Sequence, residues 1–136
     1  MAYWLIKTEP NDYSFADLEK EGQTIWDGVG NNLALKHMRN MAIGDLALFY
    51  HTGKERRIVG VAEVVSEPYV DPKLDDPKRT VVDVKLGRTL PKPVTLQQIK
   101  QDRDFFADFD LVRISRLSVM PVSEEYWQRI MEMAQE

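Results

Sequence analysis

The segment from Leu46 to Glu67 constrains the chain most. Two apolar runs, LALFYH (Leu46 to His51) and RIVGVAEVVSE (Arg57 to Glu67), flank the short polar stretch Thr52 to Glu55, in which Gly53 permits a turn. Two such runs read as strands joined by a hairpin loop. Further strand-like runs recur along the chain. Tyr3 to Lys7 alternates Trp4 and Ile6 with Tyr3, Leu5 and Lys7, and TVVDVKLGRTLP forms a third long strand after the polar, Pro-rich stretch Asp71 to Lys78. LVRISRLSVMPVS, following Phe105, Phe106 and Phe109, reads as a last strand with a bend.

Short helices fall between them. Ser14 caps FADLEKEG, with Asp17 at the third helical position and Gly22 past the end. Asn31 or Asn32 caps a second helix with Leu33, Leu35, Met38 and Met41 mostly on one side and Lys36 and Arg39 toward solvent. Thr95 and Gln98 form a capping box for a helix through Gln101, and Ser123 caps a closing helix whose Trp127, Ile130, Met131 and Ala134 face inward. With 136 residues, 43% of them hydrophobic, and no repeat or linker, the chain reads as one domain, residues 1–136. Strands returning every ten to fifteen residues with helices at the crossings give an α+β fold, a small curled mixed sheet or barrel. A doubly wound nucleotide-binding fold is excluded, because Gly22, Gly28, Gly30 and Gly44 never form Gly-x-Gly-x-x-Gly.

Composition narrows the chemistry. Without cysteine there are no disulfides, thiolate metal sites or Cys nucleophiles, and the two histidines, His37 and His51, lack partners at zinc-ligand spacing. No Gly-x-Ser-x-Gly elbow is present, so no catalytic residue, metal or cofactor is assigned. No window suits a membrane span and the N-terminus lacks a basic-then-apolar leader, so the expected location is cytoplasmic. A net charge of −4 and a pI near 5.2 argue against binding nucleic acid by counterion release alone. Charge is uneven, however: residues 1–30 carry two basic and six acidic side chains, whereas residues 31–60 carry five basic and two acidic. Such a run is either a solvated face or a place where an anion docks.

Trp26 stands at a strand-to-turn edge before Asp27-Gly28, with Asn31 or Asn32 shortly after and Tyr50-His51 ending the next strand. Taken alone, Trp26 reads as rim packing. With amides and a second aromatic nearby, it offers stacking and edge hydrogen bonds of the kind that read an unpaired or flipped base.

The motifs WLIKTEPNDYSFADL, IWDGVGNN, GDLALFYHTG, IVGVAEVV and RLSVMPVS, in this order, resemble those of the EVE domain family across essentially the whole chain. The resemblance implies a PUA-like fold, a mixed β pseudo-barrel flanked by short helices, similar to YTH and ASCH domains. It implies a reader of modified nucleobases, either modified cytosine in DNA or a modified RNA base, whose partner is a nucleic acid or a modified nucleoside or nucleotide. By that similarity Trp26 is a wall of the base cage, Lys7 and Thr8 line it from the first strand, and Asn31 faces the base edge. Tyr50 and His51 close the other side, and Ser118 borders the cleft. The sequence departs from the family pattern Trp-x-Gly-Val-Arg-Asn at Gly30, which stands where the pattern has Arg. Either Lys36, Arg39 or Arg116 takes over a phosphate contact, or Gly30 lets the loop approach the ligand more closely. An alternative function follows from ASCH-like amidohydrolases that use a Lys, Thr and Glu set on modified nucleosides. Lys7, Thr8 and Glu9 match those types, but neighbours on a strand point to opposite faces.

Overall fold

A computed structural model describes residues 1–135. The strands are β1 (Tyr3–Thr8), β2 (Gln23–Trp26), β3 (Leu46–His51), β4 (Arg57–Val64), β5 (Tyr69–Val70), β6 (Thr80–Thr95) and β7 (Val119–Val122). The helices are α1 (Phe15–Glu21), α2 (Asn32–Arg39), α3 (Leu96–Gln101), α4 (Asp110–Arg113) and α5 (Glu124–Met133). Together they form one mixed seven-stranded sheet in the order β2-β6-β4-β3-β1-β7, with β5 paired to β6 and short helices around it. Among the described residues only β1 and β3 run parallel, Tyr3 opposite Leu46 through Thr8 opposite His51. No ladder joins β2 to β7 among the described residues, so the sheet is curled but not a closed barrel. Helix α2 packs against both β7 and β6 and covers part of that gap. No helix among the described residues is long and apolar enough to cross a membrane.

The hairpin of β3 and β4 is the centre of the core. Ala47, Leu48, Phe49, Ile58 and Ala62 are fully buried, as two covered faces require. Gly60 lies in β4 because the ring of Phe15, from the first turn of α1, sits where a Cβ would be. Close contact of a helix with a strand backbone is a use that only glycine serves. Opposite Val59 the ladder to β6 skips from Thr89 to Val94, and this irregular stretch holds Pro91 and Pro93. Proline is tolerated there because no ladder hydrogen bond is required of it.

Capping signals in the sequence correspond to real caps. Ser14 and Asp17 form a reciprocal capping box, as do Thr95 and Gln98, while Asn31 and Ser123 cap α2 and α5. Three expectations are corrected. Residues 110–113 form α4 rather than strand, closed by Ile114 N–H donating to Asp110 O (2.8 Å), and only Val119–Val122 is extended. Leu33 is 40% exposed, because the buried side of α2 is Ala34, Leu35 and Met38. β4 stops at Val64, whereas β6 runs on through Thr95.

At the start of the parallel pair, buried Asp45 ties the N-terminal segment to the turn that leads into β3. Its carboxylate accepts from Ala2 N–H (3.0 Å), Trp4 Nε1–H (2.9 Å) and Ala42 N–H (2.9 Å). Burial opposes ionisation, but these hydrogen bonds outweigh it and hold the pKa below its ordinary value. The folded-state pKa is therefore depressed. Asp45 contributes fully above the unfolded value of 3.8 and loses its contribution as pH falls through the folded value. Asp45→Ala should lower the unfolding free energy at neutral pH by about 3 kcal/mol, since it leaves buried donors unpaired. In urea titrations across pH, the gap from wild type should narrow below pH 3.8; a gap constant down to about pH 2.5 would contradict the clamp.

Candidate functional site

A cavity of about 560 Å³ opens where the two ends of the curled sheet approach each other. Its volume is within the roughly 300–1,000 Å³ of small-ligand sites. Lys7 and Thr8 come from the end of β1, Asp12 and Tyr13 from the turn that follows, and Ser118 from the residue before β7. The opposite end of the sheet contributes Thr24, Ile25 and Trp26 of β2 and the turn Asp27-Gly28-Val29. Gly28 has φ +76°, a left-handed conformation that glycine adopts without strain and that turns the chain back toward α2. Lys73, from the loop between β5 and β6, completes the lining.

Each side chain is held by identifiable contacts. The Thr8 hydroxyl donates to Tyr13 O (2.9 Å), tying the strand end to its turn. The Tyr13 phenol donates to Glu21 Oε1 (2.5 Å), and its pKa is raised to about 12 by desolvation and then by that carboxylate. Trp26 is only 6% exposed. Its ring meets Phe49 edge-on (5.3 Å, 77°) and Tyr13 edge-on (6.2 Å, 84°), so it is a core residue with one margin on the cavity. Lys7 N–H donates to Ser118 O (2.9 Å), and the Lys7 amine donates to Ser115 O (3.0 Å) while lying 5.6 Å from the Tyr50 ring centre. Desolvation lowers the pKa of Lys7.

Lys7, Thr8, Trp26 and Ser118 are thus brought together at the cavity; the other candidates lie elsewhere. Asn31 Oδ1 accepts from Ala34 N–H (3.0 Å) and serves as the cap of α2. Tyr50 is buried behind Lys7, where desolvation raises its phenol to about 12. His51 Nε2 accepts from Phe15 N–H (3.0 Å), which leaves the proton on Nδ1, 2.9 Å from Glu55 Oε1. The ring therefore joins α1 to the hairpin. Of the expected phosphate ligands, Lys36 and Arg39 are exposed on α2, with Arg39 Nη1 donating to Thr80 Oγ1 (3.3 Å), and Arg116 is exposed two residues before Ser118. None of the three lines the cavity.

Five polar lining residues escaped the sequence reading, Asp12, Tyr13, Thr24, Asp27 and Lys73, as did the apolar Ile25 and Val29. Asp12, Tyr13 and Asp27 lie within motifs already quoted and Thr24 directly precedes one, so all four were accessible as near neighbours of Thr8 and Trp26. Lys73 had no signal, because its place depends on how the loop folds back.

The arrangement defines a class: a small α+β domain with one polar, aromatic-edged cavity between the ends of an open curled sheet. The chain belongs to the EVE domain family, whose model matches residues 2–133. It is 39% identical to a Rhodopseudomonas palustris protein solved by NMR, with a TM-score of 0.92 over 99% of this chain and 94% of that one. Human THYN1 protein, solved in complex with 5-methylcytosine-containing DNA, is 28% identical with a TM-score of 0.92, covering 100% of this chain and 99% of that one. Thymocyte nuclear protein 1 of Rattus norvegicus is 30% identical over 96% of this chain and 73% of its own length.

Because Trp26 is core as well as lining, Trp26→Ala should cost about 3–5 kcal/mol of stability, whereas exposed Asp27→Asn should leave the melting temperature unchanged. Thermal unfolding of the two variants checks this. An unshifted Trp26→Ala midpoint would show that the indole is not packed as described.

Proposed function

We propose that this domain binds a modified cytosine of DNA, taken out of the base stack into the cavity beside Trp26. The observation that carries this reading is the chemistry of the lining. Cytosine presents an exocyclic amine that donates, and the carboxylate of Asp27 or Asp12 accepts from such a group. Its ring nitrogen and carbonyl accept; the Thr8 hydroxyl proton is committed to Tyr13 O, so donors come from the Thr24 hydroxyl and from the Lys7 N–H bonds that Ser115 O does not take. A substituent at the ring's 5-position is apolar when it is a methyl, and Ile25 and Val29 supply apolar surface. Support comes also from THYN1, whose structure with 5-methylcytosine-containing DNA shares this fold along the full chain. A modified base in RNA would meet the same lining.

The amidohydrolase reading is disfavoured by the residues it needs. Glu9 does not line the cavity; its carboxylate accepts from Asn11 N–H (2.6 Å) and faces Gly53. The Lys7 amine is engaged by Ser115 O. Lys7, Thr8 and Glu9 therefore do not converge on the cavity.

Binding is expected to be weak and salt-sensitive, since stacking contributes about 1–3 kcal/mol per base and the acidic chain repels phosphate. In calorimetric titrations 5-methyldeoxycytidine should bind more tightly than deoxycytidine or thymidine, and Asp27→Asn should weaken it by about 5- to 150-fold, the worth of one well-placed base contact. Equal affinity for every nucleoside, or no binding, contradicts the proposal.

A further inference from the structure

A base held in the cavity leaves its phosphates at the mouth, and the cavity's own side chains decide which cation meets them. Only Lys7 and Lys73 among the lining residues are cationic. The Lys7 amine is already donated to Ser115 O, and burial lowers its pKa. Lys73 is exposed and takes part in none of the ion pairs formed by the described residues.

Lys73 is held in place by a built loop. Asp71 N–H donates to Arg79 O (2.8 Å) and closes the base of the loop. The Asp71 carboxylate, on a residue only 5% exposed, accepts from Lys73 N–H (2.9 Å), and Asp76 Oδ1 accepts from Lys78 N–H (3.0 Å). Arg79 then ties the loop to the turn that carries Asp27. Its Nη1 donates to Val29 O (3.4 Å), and its Nε lies 3.6 Å from Asp76 Oδ2. A Cβ built on Gly30 would stand 3.4 Å from Nη2 and 3.5 Å from both Cζ and Nη1. These are ordinary contact distances, so a Cβ would be accommodated, but the guanidinium lies over that position and a longer side chain at residue 30 would need the space Arg79 uses.

We infer that Lys73 contacts the phosphate backbone beside the bound base, and that Arg79, seated on Gly30, is the positioning residue that holds the loop at the cavity mouth. The inference rests on the base-binding reading above. The charges facing this mouth are mixed. Asp12 and Asp27 stand in the cavity and Asp75 and Asp76 on the loop, so a phosphate is accepted where Lys73 reaches out and repelled elsewhere.

The test uses two probes, 5-methyldeoxycytidine and a short single strand containing one 5-methylcytosine, each titrated against the intact chain at several salt concentrations. Lys73→Ala should weaken the strand several-fold at low salt and reduce the slope of log affinity against log salt by about 0.7, the value of one phosphate contact on a single strand. Nucleoside affinity should stay within about twofold, because the nucleoside has no phosphate. Arg79→Gln should weaken the strand as well, and adding it to Lys73→Ala should bring no further loss of slope, since Arg79 acts through Lys73. An unchanged slope in Lys73→Ala overturns the assignment while leaving base binding intact. A second decrement of similar size in the double variant overturns the positioning role and makes Arg79 a direct phosphate ligand. Wild type that binds neither probe overturns the base-binding reading itself.

Discussion

The parallel pairing of β1 with β3 is the constraint on which the rest depends. Parallel neighbours cannot be joined by a tight turn; the chain must leave the sheet and return. Here the return path, residues 9–45, contains α1, β2 and α2, and it places β2 at the far edge of the sheet beside β6. When the sheet curls, that edge comes back to the end of β1, and the cavity is the space left between them. Asp45 fixes where the path ends, and the Thr52 N–H to Thr8 O bond (2.9 Å) fixes the other end of the pair. A slip of one residue in this register would turn Lys7 and Thr8 over.

The same economy of parts makes the site and the core inseparable around Trp26. Its indole closes the core against Phe49 and offers one margin to the cavity, so that margin is already immobilised by packing. Pre-ordering of that kind lowers the entropy lost on binding. The polar groups are held differently: Lys7 and Thr8 end β1, Thr24 lies in β2, and Asp12, Tyr13 and Asp27 stand on the turns that follow, with Lys7, Thr8 and Tyr13 fixed by side-chain hydrogen bonds. Packing therefore sets the aromatic edge of the pocket, and hydrogen bonding sets much of its polar rim.

Local signals were legible in the sequence and distant pairings were not. The caps at Ser14, Asn31, Thr95 and Ser123, the turn at Gly53 and the apolar hairpin each depend on a few neighbouring residues, and each is found. The four-residue α4 was hidden because Val112 and Ile114 alternate with Arg113 and Ser115 and so imitate a strand. β5, with two residues, has no pattern at all. In the site, Lys7, Thr8, Trp26 and Ser118 lie in quoted motifs and do line the cavity, but His51 and Asn31 have polar groups committed to Phe15 and Ala34. Hydrogen-bonding type can be read from a residue's name; whether its partner is a ligand or the chain's own backbone depends on tertiary structure.

The cavity between the ends of the open sheet is the proposed seat of the base. Amide chemical shifts of the labelled protein, followed while a short 5-methylcytosine-containing strand is added, test it most directly. The account predicts shifts concentrated at Lys7, Thr8, Tyr13, Trp26 to Val29, Lys73 and Ser118, with the second groove between Lys54 to Arg56 and Thr95 to Gln101 unaffected. Shifts confined to that second groove, or spread evenly over the basic side chains of α2, would contradict it.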